Sequence, residues 1–226
     1  VSAELVAASI TMYILCFRSK ELSLRIDTGR FLPTWGVVKR ALHISLPMGL
    51  QQTIMCSAYV MTTIIIAPLG TFAIAANSFG IIIESLCYMP GYGIADAATT
   101  LVGQSMGAGR HELMKRFAWL SVGLGVTVMA VMGVVMYVGA PTAMAMMTPA
   151  EEVRRLGVEV LRIEAFAEPM FAAAIVSYGV FVGAAKTLVP SIMNLVSIWG
   201  VRISLAAMLA PSMGLRGVWI LSLIHI

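Results

Sequence analysis

Polar and apolar positions in this chain fall into long blocks. No Asp, Glu, Lys or Arg occurs from Ala41 to Gly80, or from Phe117 to Ala150. Crossing a hydrocarbon core of ~30 Å takes about 20 apolar helical residues, so each block is long enough to cross at least once. The blocks show no period-2 alternation, which fits helices and does not fit barrel strands. The pattern predicts six helices: Val1 to Phe17, Ala41 to Ala67, Phe72 to Met106, Phe117 to Gly139, Glu151 to Ala185 and Pro190 to Ala210. A seventh begins near Gly214 and is cut off. The stretch Pro68-Leu69-Gly70-Thr71 is a strong break between the second and third helices.

Charge then orders the loops. The connector from Arg18 to Arg40 carries Arg18, Lys20, Arg25, Arg30, Lys39 and Arg40 against Glu21 and Asp27. It divides the chain into residues 1–17, the end of a preceding membrane helix; residues 18–40, a linker between bundles; and residues 41–220, a helical bundle. Arg110 to Arg116 and Lys186 are basic, whereas Pro68 to Thr71 and Pro141 to Ala150 lack Lys and Arg. By the positive-inside rule the basic loops are cytoplasmic and Val1 lies on the outer side. Arg154, Arg155 and Arg216 are minor exceptions.

Composition agrees with this picture. The chain has 226 residues, 59% hydrophobic and 12% charged, with a mean hydropathy of +0.91. Soluble domains carry about 25% charged residues. The net charge of +4 sits in short loops beside apolar spans, which is membrane topology and not a nucleic-acid surface. Cys16, Cys56 and Cys87 lie in apolar segments without a CxxC pair, and read as buried helix filler. There is no Walker A motif, nucleophile elbow or zinc spacing, so nothing points to an enzyme, a resident metal or a cofactor.

The ends read as incomplete. Val1 already lies inside an apolar segment. The last six residues, LSLIHI, match the in-frame translation of CTGTCTCTTATACACATC, the end of a common sequencing adapter. Leu221 to Ile226 is therefore expected to be a library artefact.

Four stretches carry a resemblance. Ile66-Ala67-Pro68-Leu69-Gly70-Thr71 with Ala75-Ala76-Asn77 resembles the turn between helices seven and eight of the multidrug and toxic compound extrusion (MATE) transporters. Leu101-Val102-Gly103-Gln104-Ser105-Met106-Gly107-Ala108-Gly109 resembles that family's Val-Gly-Gln/Asn-x-Leu-Gly-Ala-Gly stretch. Trp199-Gly200-Val201-Arg202-Ile203-Ser204-Leu205 and Gly214-Leu215-Arg216-Gly217-Val218-Trp219-Ile220 look like helix eleven and the approach to helix twelve. The resemblance implies an all-α, polytopic membrane bundle of about six transmembrane helices. These would form one lobe, plus one flanking helix, of a twelve-helix, two-lobe transporter in the bacterial cytoplasmic membrane. The partner implied is the missing N-terminal lobe. The activity implied is export of amphipathic, cationic organic compounds in exchange for H⁺ or Na⁺, with no cofactor. Two departures stand out. The family's Arg-Gly-x-Gly-Asp-Thr is Val182-Gly183-Ala184-Ala185-Lys186-Thr187 here, and the acidic positions of some relatives' helices seven and ten hold Met55 and Phe171.

Ionisable residues at membrane depth are functional candidates. Glu164 and Glu168, four apart, share a helix face. Pro169 donates no hydrogen bond and so frees the carbonyl of Ala165 one turn back. A carboxylate beside a loosened carbonyl suits a proton or Na⁺. Glu84 lies about 18 Å into its helix and Asp96 about 36 Å along it. Arg202, about 18 Å past Pro190, is expected to pair with one of these acids. Pro90, Gly91 and Gly93, with Pro169, are hinge candidates, close packing being the alternative for the first three. The 17 Met residues either line an adaptable pocket or simply fill membrane helices. Two rivals remain open: a flippase of lipid-linked oligosaccharide or lipid II, which would favour a cavity rich in Arg and Lys, and a non-transporting scaffold or membrane-embedded enzyme.

Overall fold

The computed structural model describes residues 2–18 and 34–221, and no strand occurs among them. The chain divides into two compact units, residues 1–42 and 43–226. The first contains α1 (Ser2–Tyr13), a π-helical turn (Ile14–Arg18) and the opening of α2 (Trp35–Ile66). Most of the expected connector lies outside the described residues. Its end, however, is already helical. α2 starts at Trp35, six residues before the expected Ala41, with Val37 and Val38 donating to the Thr34 carbonyl at 3.0 and 3.1 Å. A helix does not stop where its apolar block stops, because Lys39 and Arg40 are good helix formers.

The second unit holds the rest of α2, a 3₁₀ turn (Ala67–Leu69), α3 (Thr71–Gly107), α4 (His111–Met147), α5 (Glu151–Gly183), α6 (Leu188–Leu195), a π-helical segment (Val196–Ile203) and α7 (Ser204–Ile220). Among the described residues, five runs are long and apolar enough to cross a membrane: Trp35–Leu69, Thr71–Gly107, His111–Met147, Glu151–Gly183 and Leu188–Ile220.

Later boundaries also differ from the sequence expectation. α4 was expected over Phe117 to Gly139, but its first turn takes in His111 to Arg116, where Lys115 reaches Glu112 at 3.1 Å. It also runs through Pro141 to Met147, so the uncharged stretch before Ala150 is mostly helix. The expected gap between the sixth and seventh helices shrinks to one residue, Gly214, with φ 62° and ψ −147°. Glycine has no Cβ to clash there, so one residue can redirect the chain. The expected artefact, residues 221–226, is described only at Leu221, which is buried at the end of α7.

α3, α4 and α5 pack as a tight trio. Gly179 and Gly183 on α5 form a small-xxx-small pair against α3. A methyl group at either position would sit 2.5 Å from a backbone oxygen, that of Ala95 or of Thr99. This close approach lets Thr99 Oγ1 donate across the interface to the Gly179 carbonyl at 2.8 Å. Small residues are how membrane helices bring backbones together without a hydrophobic driving force. The main apolar core is built by the trio together with α7 and the end of α2: Ile66, Ile83, Met136, Met144, Leu161 and Trp219 belong to one buried cluster. Cys87 joins it, but Cys56 is exposed, contrary to the expectation that all three cysteines are buried.

Candidate functional site

Helical periodicity places Asn77, Ile81 and Glu84 on one face of α3, since seven residues close two turns. That face looks into a cavity of ≈ 560 Å³ bounded by α2, α3, α5, α6, the π segment and α7. Its charged lining is Glu84, Glu164 and Arg202. The carboxyl of Glu84 lies within electrostatic reach of both Glu164 and Arg202. Tyr59, Tyr92 and Tyr178 add hydroxyl-bearing rings, and Phe171, Phe181 and Trp219 add apolar ones. Met48, Met55 and Met193 complete a flexible apolar wall.

Arg202 reaches the cavity from a π-helical segment eight residues long. A π turn is wider than an α turn, and such turns are frequent at functional sites. Ser204 Oγ donates to the Trp199 carbonyl five residues back, at 3.2 Å. Trp219 Nε1 donates to Asn77 Oδ1 at 3.1 Å in a buried bond between α7 and α3.

Glu168 is separate. It is 1% exposed and does not line the cavity. Its Cβ would lie 3.4 Å from a methyl group placed on Gly133 of α4. Neither carboxyl oxygen has a hydrogen-bond partner among the described residues. The Ala165 carbonyl, freed by Pro169, abuts the same glycine, 2.6 Å from where a Cβ would stand. An acidic side chain buried without donors is costly in its ionised form, so it suits a site that a proton or a cation neutralises. Gly133 is what leaves room for both groups.

The sequence candidates thus part company. Glu84, Glu164 and Arg202 converge on the cavity. Glu168, one turn from Glu164 and also buried, lies toward α4. Asp96 is exposed and does not line the cavity. α3 continues as helix through Pro90, and α5 through Pro169. Gly91 packs against Met129 Sδ, which a methyl group would meet at 3.2 Å, while Gly93 has open space around it. The apolar substitutes Met55 and Phe171 both line the cavity.

Two side-chain interactions were not foreseen in the sequence. Arg162 lies over the Tyr137 ring at 5.2 Å from its centroid. Arg216 grips Glu159 with two hydrogen bonds, 2.7 Å from Nε and 2.5 Å from a terminal nitrogen, joining α7 to α5. The signal for the second was available: a lone cation just past a glycine break, with an acid on the neighbouring helix.

The sequence profile of the MatE family matches residues 47–208, most of the chain. The chain belongs to the MatE family. Among MatE relatives, it is 28% identical over 215 residues to the probable multidrug resistance protein NorM of Xylella fastidiosa, covering 94% of this chain and 46% of that protein. It is 30% identical over 198 residues to the NorM of Brucella suis, covering 85% and 42%. The fold is similar to that of the Vibrio cholerae MATE transporter VcmN in its bent form, with a TM-score of 0.82 and 17% identity, covering 98% of this chain and 49% of that one. This MatE chain therefore spans about half the length of the curated relatives it matches. As a MatE protein with five apolar helical spans it is a multi-pass membrane protein. The sequence resemblance drawn from four short stretches holds, and two of them meet physically in the Asn77–Trp219 bond.

Proposed function

We propose that the protein of which this chain is part is a secondary antiporter. It exports amphipathic, cationic organic compounds in exchange for H⁺ or Na⁺, without a cofactor, by alternating access between two lobes. The observation that carries this reading is the cavity of ≈ 560 Å³, with aromatic and methionine walls around two carboxylates and one guanidinium. Cavities of about 300–1,000 Å³, mostly apolar with a few placed polar groups, suit small organic molecules. Tyrosine faces attract organic cations, and methionine side chains adapt to varied shapes. The relatives' name, multidrug resistance protein, supports the same substrate class.

In this mechanism Glu84 and Glu164 meet the cation of the cargo, and Arg202 holds their orientation and limits their joint charge. Glu168 takes the coupling ion in the α4–α5 interface. Loading and unloading that carboxyl changes how α4 and α5 pack, and so biases the protein between its two open states. Differential affinity for the two states is the only way a ligand can shift that balance. Two carboxylates against one guanidinium also weigh against the flippase reading, whose anionic lipid cargo needs excess cations.

The test uses the full-length protein in proteoliposomes, with ethidium transport driven by a proton or a sodium gradient. Glu84→Gln and Glu164→Gln should each weaken ethidium binding about tenfold or more, the loss expected for one charge-assisted contact. Glu168→Gln should retain ethidium binding but lose gradient-driven transport. If all three variants transport and bind as the parent does, the assignment is wrong.

A further inference from the structure

A second hollow lies between the start of α4 and the end of α5. It measures ≈ 190 Å³ and is lined by Ala118, Trp119 and Val122 of α4 with Ser177, Val180 and Phe181 of α5. Apart from the Ser177 hydroxyl and the indole N–H its walls are apolar, and Trp119 is 78% exposed at its rim.

Cations stand at one end of it. Lys115 lies three and four residues before Ala118 and Trp119, so it shares their stripe on α4. Lys186 is tied to the opposite wall: its backbone N–H donates to the carbonyl of Phe181, itself a wall residue, at 2.9 Å. Both lysines are exposed. Arg110 and Arg116 stand in the same turn as Lys115, and Glu112 is the acid among residues 110–116. Glu112 holds Lys115 at 3.1 Å, with side chains 82% and 63% exposed. Such a solvated pair is worth little and exchanges readily for another anion.

We propose that this groove binds one anionic phospholipid, with an acyl chain between α4 and α5 and the phosphate held by Lys115 and Lys186. The charge complementarity selects this occupant. A hydrocarbon slot with an amphipathic Trp at its mouth and two lysines one turn further out matches the order of groups along a lipid. A zwitterionic lipid would fill the slot but leave the lysines without their counter-charge. Ser177 and Phe181 line both this groove and the central cavity, but neither lysine lines the cavity, so the lysine variants test lipid binding separately from the transport reading.

The experiment is native mass spectrometry of the full-length protein in detergent, titrated with dioleoylphosphatidylglycerol or dioleoylphosphatidylcholine. The parent should retain the glycerol lipid about thirtyfold more strongly than the choline lipid, given two surface lysines at about 1 kcal/mol each. The double variant Lys115→Gln with Lys186→Gln should lose that preference, while Arg155→Gln, at the other end of α5, should keep it. Val122→Trp, which fills the slot, should lower retention of both lipids. Equal retention of the two lipids by the parent overturns the proposal. So does an undiminished preference in the double variant, or unchanged retention with Val122→Trp. The two lysines are exposed, so their replacement leaves the fold intact, and an unchanged size-exclusion profile verifies this.

Discussion

Ala185 shows what one residue can reveal. Its φ is +56°, in the left-handed region, while the Lys186 N–H closes back on Phe181. The family pattern that the chain resembles has glycine at this position, and the backbone explains why. A Cβ in that conformation costs roughly 1–2 kcal/mol. Ala185→Gly should therefore stabilise the protein by about 0.5–1 kcal/mol, after the extra freedom of glycine in the unfolded chain is deducted. Thermal melting of the detergent-solubilised protein would register a higher midpoint; a lower one would mean that the turn is not strained. By contrast Gly109, with φ +69°, already has the residue its turn requires. At this scale the sequence was partly legible. The charged residues at depth could be found by counting along each helix, and Glu84, Glu164 and Arg202 do converge. Asp96, counted to about 36 Å along the same helix, is exposed, and 12 residues from Glu84 is about a third of a turn off that face. Depth alone says nothing about direction.

Between elements, the α3–α5 contact is set by the absence of side chains. Gly183→Leu would push its branch into the Thr99 carbonyl and should destabilise the protein by about 1–3 kcal/mol or more, the usual penalty of overpacking. Thr99→Val removes the hydroxyl that donates across to Gly179 and back to the Ala95 carbonyl within α3; loss of the interhelical bond should cost about 0.6 kcal/mol, the mean for such bonds in a membrane protein. Denaturant titration of the two variants would compare them; equal losses would mean that the interface does not depend on close approach. The helices themselves were legible because a run free of charges must be satisfied by its own backbone hydrogen bonds. Their ends were not. Polar turns such as His111 to Arg116 continue a helix past the bilayer at no cost, and Pro141 does not stop α4. The π segment that delivers Arg202 had no visible signal, since its residues are those of an ordinary apolar helix.

At the level of the whole molecule, a fused trio of helices stands beside a more loosely tied set. α2 and α6 are linked through side chains, such as Ser191 Oγ donating to Gln51 Oε1 at 2.9 Å. The apolar cluster of Ala58, Ile198 and Ile203 joins α2 to the π segment. The cavity is the space between these two kinds of packing. It could not be read from the sequence, because its wall is assembled from six stretches that no local pattern connects. One wall residue also has an optical consequence. The chain contains four Trp, and of these only Trp219 lines the cavity. Its indole is buried, with its N–H committed to Asn77, so its emission should be blue-shifted relative to that of exposed Trp35 and Trp119. An aromatic cargo entering the cavity would quench that component by contact or energy transfer. A Trp219→Phe variant should lose the cargo-dependent quenching while keeping the red-edge emission, which would make the protein its own fluorescent gauge of occupancy.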